Sequence, residues 1–398
     1  VSQPAVVLAP GREKSVKRRH PWIYAGAIER VEGELGAGDT VLVRSAEGAS
    51  LALGAWSPRS QIRVRVWSFD PAAEIGRAFF RARIEAALAL RGRLAAARHT
   101  NALRLVYAES DGLPGLVVDR YADVLVVQFL AAGVERWREE ILDALADASG
   151  AAAIYERSDA EVRFLEGLAP RAGFARGSRD ARRCPILEYG LRFRVDVAEG
   201  QKTGFFLDQR ENRQRIRALA AGREVLDAFC YTGGFAIAAL AGGAVRVTAV
   251  ESSAAALEVA RENLAANALD ASRIAFEQAD VFEFLRRLRD RGARYELVIL
   301  DPPKFAPTAA QAKAAARAYK DINLLAFKLL APGGLLATFS CSGAIEAPLF
   351  QSIVAAAALD AGVDARILGR FGAAEDHPVA LHFPEGEYLK GLLVLRAA

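Results

Sequence analysis

From residue 190 to the end of the chain, apolar positions fall in short blocks separated by longer segments of helical spacing. Blocks at residues 225–226, 247–250, 274–276, 297–300, 335–340, 365–371 and 392–396 are too short for helices and end at turn residues. Segments such as FAIAALA, at 235–241, read as helices between them. Strand and helix in alternation predict a parallel α/β sheet, here of seven strands. Upstream the period changes. Residues 6–8, 40–44, 51–55 and 62–67 are short apolar or alternating runs, divided by turn signals such as Gly36-Ala37-Gly38-Asp39 and Ala46-Glu47-Gly48. Residues 74–98 are rich in Ala, Arg and Leu, with Phe79, Phe80, Ile84, Ala87, Leu88 and Leu94 near one helical face. Strands at 103–107, 116–119, 124–130, 153–156 and 191–197 and a helix at 134–149 then predict a small α+β region. The expected division is 1–72, a connecting helix over 73–98, then 99–189 and 190–398.

Composition narrows the class. The 398 residues are 52% hydrophobic and 25% charged, which supports buried cores and argues against a disordered chain. No apolar run approaches the roughly 20 residues of a membrane span, and no signal peptide is expected. Cys184, Cys230 and Cys341 form no CxxC pair, and only four histidines accompany them. Neither a disulfide framework nor a metal site is expected, and a reduced, cytoplasmic protein is the economical reading.

The net charge of +4 and pI near 9 permit an acidic partner without demanding one. One cluster of basic residues lies near the start of the chain. Arg12, Lys14, Lys17, Arg18, Arg19 and His20 precede Pro21-Trp22-Ile23-Tyr24. Cations beside aromatic rings suit a surface that meets phosphates and stacks on a base. The plainer alternative is a solvated loop with Trp22 in the core. The HPW and GD features and the length of residues 1–72 resemble a PUA domain, a small RNA-binding barrel.

The chemistry centres on VLDAFCYTGGF at 225–235. Asp227 stands near the end of an apolar run, and Gly233-Gly234 permit a sharp turn into a helix whose N-terminus offers unpaired N–H donors. This is not GxGxxG, so no pyrophosphate cradle is implied. Further carboxylates follow later runs: Glu251, Asp280 and Asp301. Acidic residues recurring at strand ends point to recognition of a ribose and an adenine at one sheet edge. These motifs resemble a class I S-adenosylmethionine-dependent methyltransferase. DPPKF at 301–305 with TFSCS at 338–342 is similar to the large-subunit (23S) ribosomal RNA cytosine-5 methyltransferase I family. The likeness extends over essentially the whole chain and is sharpest between 200 and 342.

That resemblance implies a Rossmann-like class I methyltransferase domain with a seven-stranded sheet whose last strand is antiparallel. A PUA-like β-barrel and a central α+β domain precede it. Phe206, Asp208, Gln209 and Arg210 match the family's FFLDQR motif and are expected around S-adenosylmethionine. So are Asp227, Phe229, Tyr231, Thr232, Gly233, Glu251, Ser252, Asp280, Val281, Asp301 and Pro302. Lys14, Lys17, Arg18, Arg19 and Trp22 are expected to meet RNA. Large-subunit ribosomal RNA is the implied partner, with no membrane, and a homodimer is left open.

Cys341, Asp301 and Lys304 are the expected catalytic group. Carbon 5 of cytosine is a poor nucleophile until a thiolate adds to carbon 6, which explains a thiol at this position. Lys304 would contact a phosphate or lower the pKa of a nearby thiol. No cysteine precedes Asp301-Pro302-Pro303, unlike the two-cysteine RNA enzymes, so the acceptor of the carbon-5 proton is open. Cys230 reads as a compact filler. His377, in Glu375-Asp376-His377-Pro378, is either a base or structural. The competing functions are a guanine base-nitrogen methyltransferase and a non-catalytic RNA-binding assembly factor.

Overall fold

Short valine- and leucine-rich segments near the N-terminus pair into a six-stranded sheet. Its order is Trp22–Tyr24, Ile62–Ser68, Ser50–Trp56, Thr40–Arg44, Ala5–Leu8, Ile28–Glu32. Only Ala5–Leu8 against Thr40–Arg44 is parallel. Val6, Leu8, Ile23, Val41, Val43, Val64 and Val66 form its core. The structure, a computed structural model, describes residues 3–177, 182–305 and 311–397. A second, five-stranded sheet runs Arg171–Gly177, Ala153–Ser158, Val124–Phe129, Leu116–Tyr121, Ala102–Tyr107. Helix Arg77–Arg93 buries Phe80, Ile84 and Ala87 in the core that also contains Leu105, Val118, Leu125 and Phe129.

Besides Arg183–Glu188, which forms a two-stranded sheet with Leu191–Asp196, three strands escaped the hydrophobic pattern. Trp22–Tyr24 has three residues, Ile28–Glu32 reads IERVE, and Arg171–Gly177 carries two glycines and two arginines among its seven. Each lies at a sheet edge, where one side of the strand has no partner and side chains need not be apolar.

By its contacts the chain divides into two compact units. One is the chain to Leu187 with Val195–Leu207 and Glu375–Gly386; the other is Glu188–Arg194, Asp208–Ala374 and the chain from Glu387. The first unit is threaded by buried polar groups. Arg104 grips Asp119 with two bonds of 2.8 and 2.7 Å, and Thr203 Oγ1 donates to the same carboxylate at 2.5 Å. Tyr121 OH lies 2.9 Å from Thr203 Oγ1. Burial, then the Asp119 charge, pushes the Tyr121 phenol well above its usual range, so it stays neutral. Asp376 accepts from the Arg104 N–H at 2.8 Å and pairs with His377 Nδ1 at 2.9 Å.

The second unit holds a sheet of seven strands: β1 (Glu224–Ala228), β2 (Arg246–Glu251), β3 (Ile274–Gln278), β4 (Tyr295–Leu300), β5 (Leu330–Ser340), β6 (Ala365–Phe371) and β7 (Lys390–Arg396). Their spatial order is β3-β2-β1-β4-β5-β7-β6. The first five are parallel, and β7 is antiparallel to both β5 and β6. Helix α1 (Arg210–Leu219) precedes β1, and five helices connect the strands: α2 (Gly234–Ala241), α3 (Ala254–Ala266), α4 (Val281–Asp290), α5 (Ala312–Leu329) and α6 (Ala347–Asp360). Buried cores lie on both faces of the sheet. One gathers Leu226, Val298, Leu300, Tyr319 and Phe327; the other Val225, Phe235, Leu257, Leu297 and Phe339. Alternate residues of β1 and β4 thus enter opposite cores, which is why these strands read as unbroken apolar runs. Helix α1 is fixed by a buried fork, with Arg213 donating to both oxygens of Glu188 at 2.7 and 2.6 Å. Among the described residues no helix is long and apolar enough to cross a membrane, and no cluster of His, Cys, Asp and Glu could hold a metal ion.

Removing Asp119 would take away the buried carboxylate that Arg104 grips with two bonds. Asp119→Ala is expected to cost about 3 kcal/mol or more of stability. Arg81→Ala, which breaks an exposed pair with Glu85, should leave the urea midpoint where it is. Equal midpoints for the two variants would refute this account of the first unit.

Candidate active site

Every parallel strand of the large sheet points its carboxyl end to one edge, and the chain turns sharply there. After β1 the backbone visits the left-handed region at Phe229 (φ 66°), Tyr231 (φ 49°) and Gly233 (φ 80°). Two of these are not glycine, so the turn holds strain that neighbouring bonds must offset. Cys230 N donates to Val250 O at 3.0 Å, Tyr231 N to Glu251 Oε2 at 3.1 Å, and Asn263 Nδ2 to Thr232 O at 3.0 Å. Gly233 also needs its missing side chain, since a Cβ there would lie 3.2 Å from the Ala260 Cβ.

Asp227 sits wholly buried on β1, and neither carboxylate oxygen has a hydrogen-bond donor in bonding geometry. Burial pushes its pKa well above the usual carboxylate range. The charges of Asp301 and Glu251 push the same way, and only the nearby Ala236 backbone N–H works against them. Thr232 Oγ1 is likewise buried without a partner. Such a pair of orphaned oxygens fits a ligand that brings its own hydroxyl or ammonium donors.

Glu251 ends β2 and holds the next turn, accepting from Ser252 N at 2.8 Å and Ser253 N at 3.0 Å. Ser252 is exposed there. Asp280 is the N-cap of α4, with Oδ1 accepting from Glu283 N at 3.0 Å, and Val281 behind it is buried. The sequence offered Asp280 as a ligand residue; the structure gives it a capping bond.

On the neighbouring strands, Asp301 follows β4 and Cys341 follows β5. Leu300 lies opposite Thr338, so both residues emerge at the same edge. Tyr319 on α5 faces them both. Its phenol is pushed up by burial first, and the negative charges of Cys341 and Asp301 add to that. Tyr319 OH lies 3.1 Å from Ser342 Oγ. Pro302 is buried while Pro303 and Lys304 are exposed. Phe305 packs on Tyr319 at 4.9 Å and Phe282 at 6.1 Å. The charges of Asp227, Glu251, Asp301, Tyr319 and Cys341 thus act on one another along one edge. Cys341 is half-buried, whereas Cys184 and Cys230 are buried. Burial, then the charges of Asp227 and Glu251, raises the Cys230 thiol well above its usual value. Burial pushes Cys184 up to about 12. Neither is suited to act as a thiolate.

The FFLDQR segment leads into α1. Asp208 is buried and accepts from Tyr388 OH, while its carbonyl accepts from Ala374 N at 2.9 Å. Gln209 occupies the helix N-cap, and its Oε1 accepts from Asn212 Nδ2 at 2.6 Å. Arg210 is fully buried with Nε bonded to Glu211 at 3.0 Å. Phe206, in the first unit, lies under the Lys202 ammonium at 4.6 Å.

In the N-terminal sheet region Lys14, Lys17, Arg18 and Arg19 are all exposed. Trp22 is not an open stacking surface. Its indole N–H donates to Glu109 at 2.8 Å and its ring meets Phe383 edge-on at 4.7 Å. Tyr24, 48% exposed, is the accessible ring beside the cations. His377 is buried against Asp376 and Tyr107, which is a structural placement. Lys390, which no sequence motif marked, donates through Nζ to Ser342 O and Ile345 O beside Cys341. Its neighbours come from β5 and beyond, so only the strand order reveals it.

Residues 176–362 match a family model described as S-adenosylmethionine-dependent methyltransferase, and residues 6–69 match a PUA-like domain. The chain is 49% identical over 389 residues to a protein of Shewanella denitrificans and 51% identical over 389 residues to one of Aeromonas salmonicida. Each alignment covers 98% of both chains, and both relatives are named ribosomal RNA large subunit methyltransferase I. Among solved structures, a candidate S-adenosylmethionine-dependent methyltransferase from Streptococcus mutans superposes with a TM-score of 0.85 at 22% identity, covering 98% of this chain and 99% of that one. A candidate methyltransferase complexed with SAH does so at 0.86 and 22%, with the same coverage. Likeness at that identity speaks to the fold.

A buried carboxyl with a raised pKa holds its proton more tightly in the folded chain than in the unfolded one. Its contribution to stability is therefore greatest below the ordinary carboxylate range and is lost as pH rises toward the raised value. Asp227→Asn, without ligand, should melt with the wild type near about pH 4, the ordinary carboxylate value, and increasingly above it as pH rises. Thermal melts across that range check this. A wild-type advantage that grows with pH would contradict it.

Proposed function

Since the chain belongs to the ribosomal RNA large subunit methyltransferase I family and carries an S-adenosylmethionine-dependent methyltransferase domain, we propose that it methylates carbon 5 of a cytosine in 23S ribosomal RNA through a covalent adduct at Cys341. One observation carries the choice of base and mechanism. Of three thiols, only Cys341 is partly open, and it emerges beside Asp301 at the carboxyl edge of the sheet. A guanine-nitrogen transfer has no use for a thiol there.

The residues present fit S-adenosylmethionine. Asp227 and Thr232 offer buried oxygens without donors, and the β1 turn with Gly233 lets the backbone come close. Glu251 and Ser252, at the end of β2, stand where a ribose is held in such folds. When bound, the cofactor supplies an electrophilic methyl group. The chain's own part is to bind it, to orient the base and to activate carbon 5.

Cys341 does the activating. Its thiolate adds to carbon 6 of the cytosine, and the displaced π electrons make carbon 5 nucleophilic. After carbon 5 is methylated, loss of its proton returns the electrons to the ring and expels the thiolate. The stiff Asp301-Pro302-Pro303 turn lacks N–H donors at both prolines, and it holds one wall of the crevice in an extended form. Lys304, exposed behind it, suits a backbone phosphate. The base must leave its stack to reach a sheet edge, which loop or single-stranded RNA permits at least cost. Lys14, Lys17, Arg18 and Arg19 supply electrostatic grip, with Tyr24 rather than Trp22 as the ring that a base could meet. A ribosomal RNA substrate is in keeping with a cytoplasmic protein.

Cys341→Ala is expected to keep cofactor and RNA binding yet lose methyl transfer by about three orders of magnitude or more. RNA containing 5-fluorocytosine should trap the wild type as a covalent adduct after methylation, because fluorine does not leave as a proton does. Mass mapping should place that adduct on Cys341. An active Cys341→Ala enzyme, or an adduct on another residue, would overturn the mechanism.

A further inference from the structure

Lys390 opens β7, and antiparallel pairing sets it opposite Ser340, the residue before Cys341. Its Nζ donates to Ser342 O at 2.8 Å and to Ile345 O at 2.6 Å. These carbonyls bracket the turn that follows the cysteine, and Ile345 N closes that turn on Ser342 O at 3.1 Å. A lysine ammonium has three N–H donors, so two fix the turn and one is left over. Among the described residues no carboxylate forms an ion pair with it, so its charge is not cancelled at close range.

Resting on the reading of Cys341 as nucleophile, we propose that Lys390 is its positioning cation. It clamps the 340–345 turn and supplies the positive charge that lets Cys341 attack as a thiolate. The expected source of that charge was Lys304, but Lys304 stands exposed, where water and salt screen it. Lys390 is half-buried, and its charge acts through a drier path.

The charged surroundings bear this out on both sides. Desolvation lowers the pKa of Lys390, and a negative Cys341 is the largest influence raising it. Coupling between two charges is mutual, so the ammonium favours the thiolate as much as the thiolate favours the ammonium. Glu346 at the start of α6 and Glu387 before β7 also raise the lysine, and Lys304 opposes them. Tyr319 also lies within electrostatic reach of the thiol, and Asp301 within reach of Tyr319. These acidic groups disfavour a thiolate, and the half-buried cation offsets them.

The test reads the thiol rather than methyl transfer. The full-length protein, without RNA or cofactor, is alkylated with iodoacetamide over a range of pH, and the rate at each cysteine is followed by mass spectrometry. Cys184 and Cys230 serve as buried controls. In the wild type the Cys341 profile should have its midpoint below about 8.5, the ordinary thiol value. In Lys390→Met it should move up by about one unit, with roughly tenfold slower alkylation at neutral pH. Lys390→Arg should restore part of the shift, since it keeps the charge and alters the geometry. A wild-type midpoint at or above the ordinary value overturns the inference without any variant. So does an unmoved profile in Lys390→Met with circular dichroism and cofactor binding intact. If Cys341→Ala is inactive while the Lys390→Met profile stays put, this inference alone falls. If Cys341→Ala remains active, the reading beneath it falls as well.

Discussion

A carboxyl group buried without a donor is the constraint on which the second unit depends. Asp227 sits at the middle of a parallel sheet, between strands that place Ala249 and Ile299 beside it. Burying an ionised carboxylate without partners costs several kcal/mol, so the folded chain tolerates it by raising the pKa. The strained turn that follows, with Phe229 and Tyr231 at positive φ, is held by Glu251 and by the Val250 and Cys230 backbone. Strain and an orphaned acid side by side destabilise the free protein at the place where a ligand brings hydrogen-bond donors. That is the usual signature of a binding edge rather than a core.

The same edge is built from elements far apart in the chain. β4 and β5 deliver Asp301 and Cys341, and α5 delivers Tyr319. The antiparallel insertion of β7 delivers Lys390 from 49 positions beyond Cys341. An all-parallel sheet would bring the end of a strand and the N-terminus of the helix that follows it to that place, not a strand running back with a lysine at its start. The reversed strand thus has a chemical consequence as well as a topological one.

Much of this was legible in the sequence because the inner strands β1, β4, β5 and β7 are buried on both faces and read as apolar blocks, while the edge strands β3 and β6 are largely exposed. The β1 turn announced itself through Gly233-Gly234, and Asp301 and Cys341 through their motifs. The failures have physical causes. Edge strands such as Ile28–Glu32 need no apolar face, so their charged alternation reads as loop. Asp280 follows a strand, as a cofactor-edge acid would, and it also caps α4 through the bond to Glu283 N, a role that the acid-after-strand pattern does not announce. Trp22 beside a run of cations read as a stacking platform, while its indole N–H is taken by Glu109, 87 residues away. Tyr388 on Asp208 and Lys390 on Ser342 are equally invisible, since nothing local records a partner that only folding brings near.

The proposed carbon-5 chemistry on cytosine, at the edge that carries Asp227 and Cys341, is read from the identity of the methylated product. Large-subunit ribosomal RNA lacking this methylation would be incubated with the purified protein and methyl-labelled S-adenosylmethionine, digested to nucleosides and separated by mass spectrometry. The account predicts label in 5-methylcytidine. Label in a methylated guanosine, or in no nucleoside at all under conditions where the cofactor binds, would contradict it.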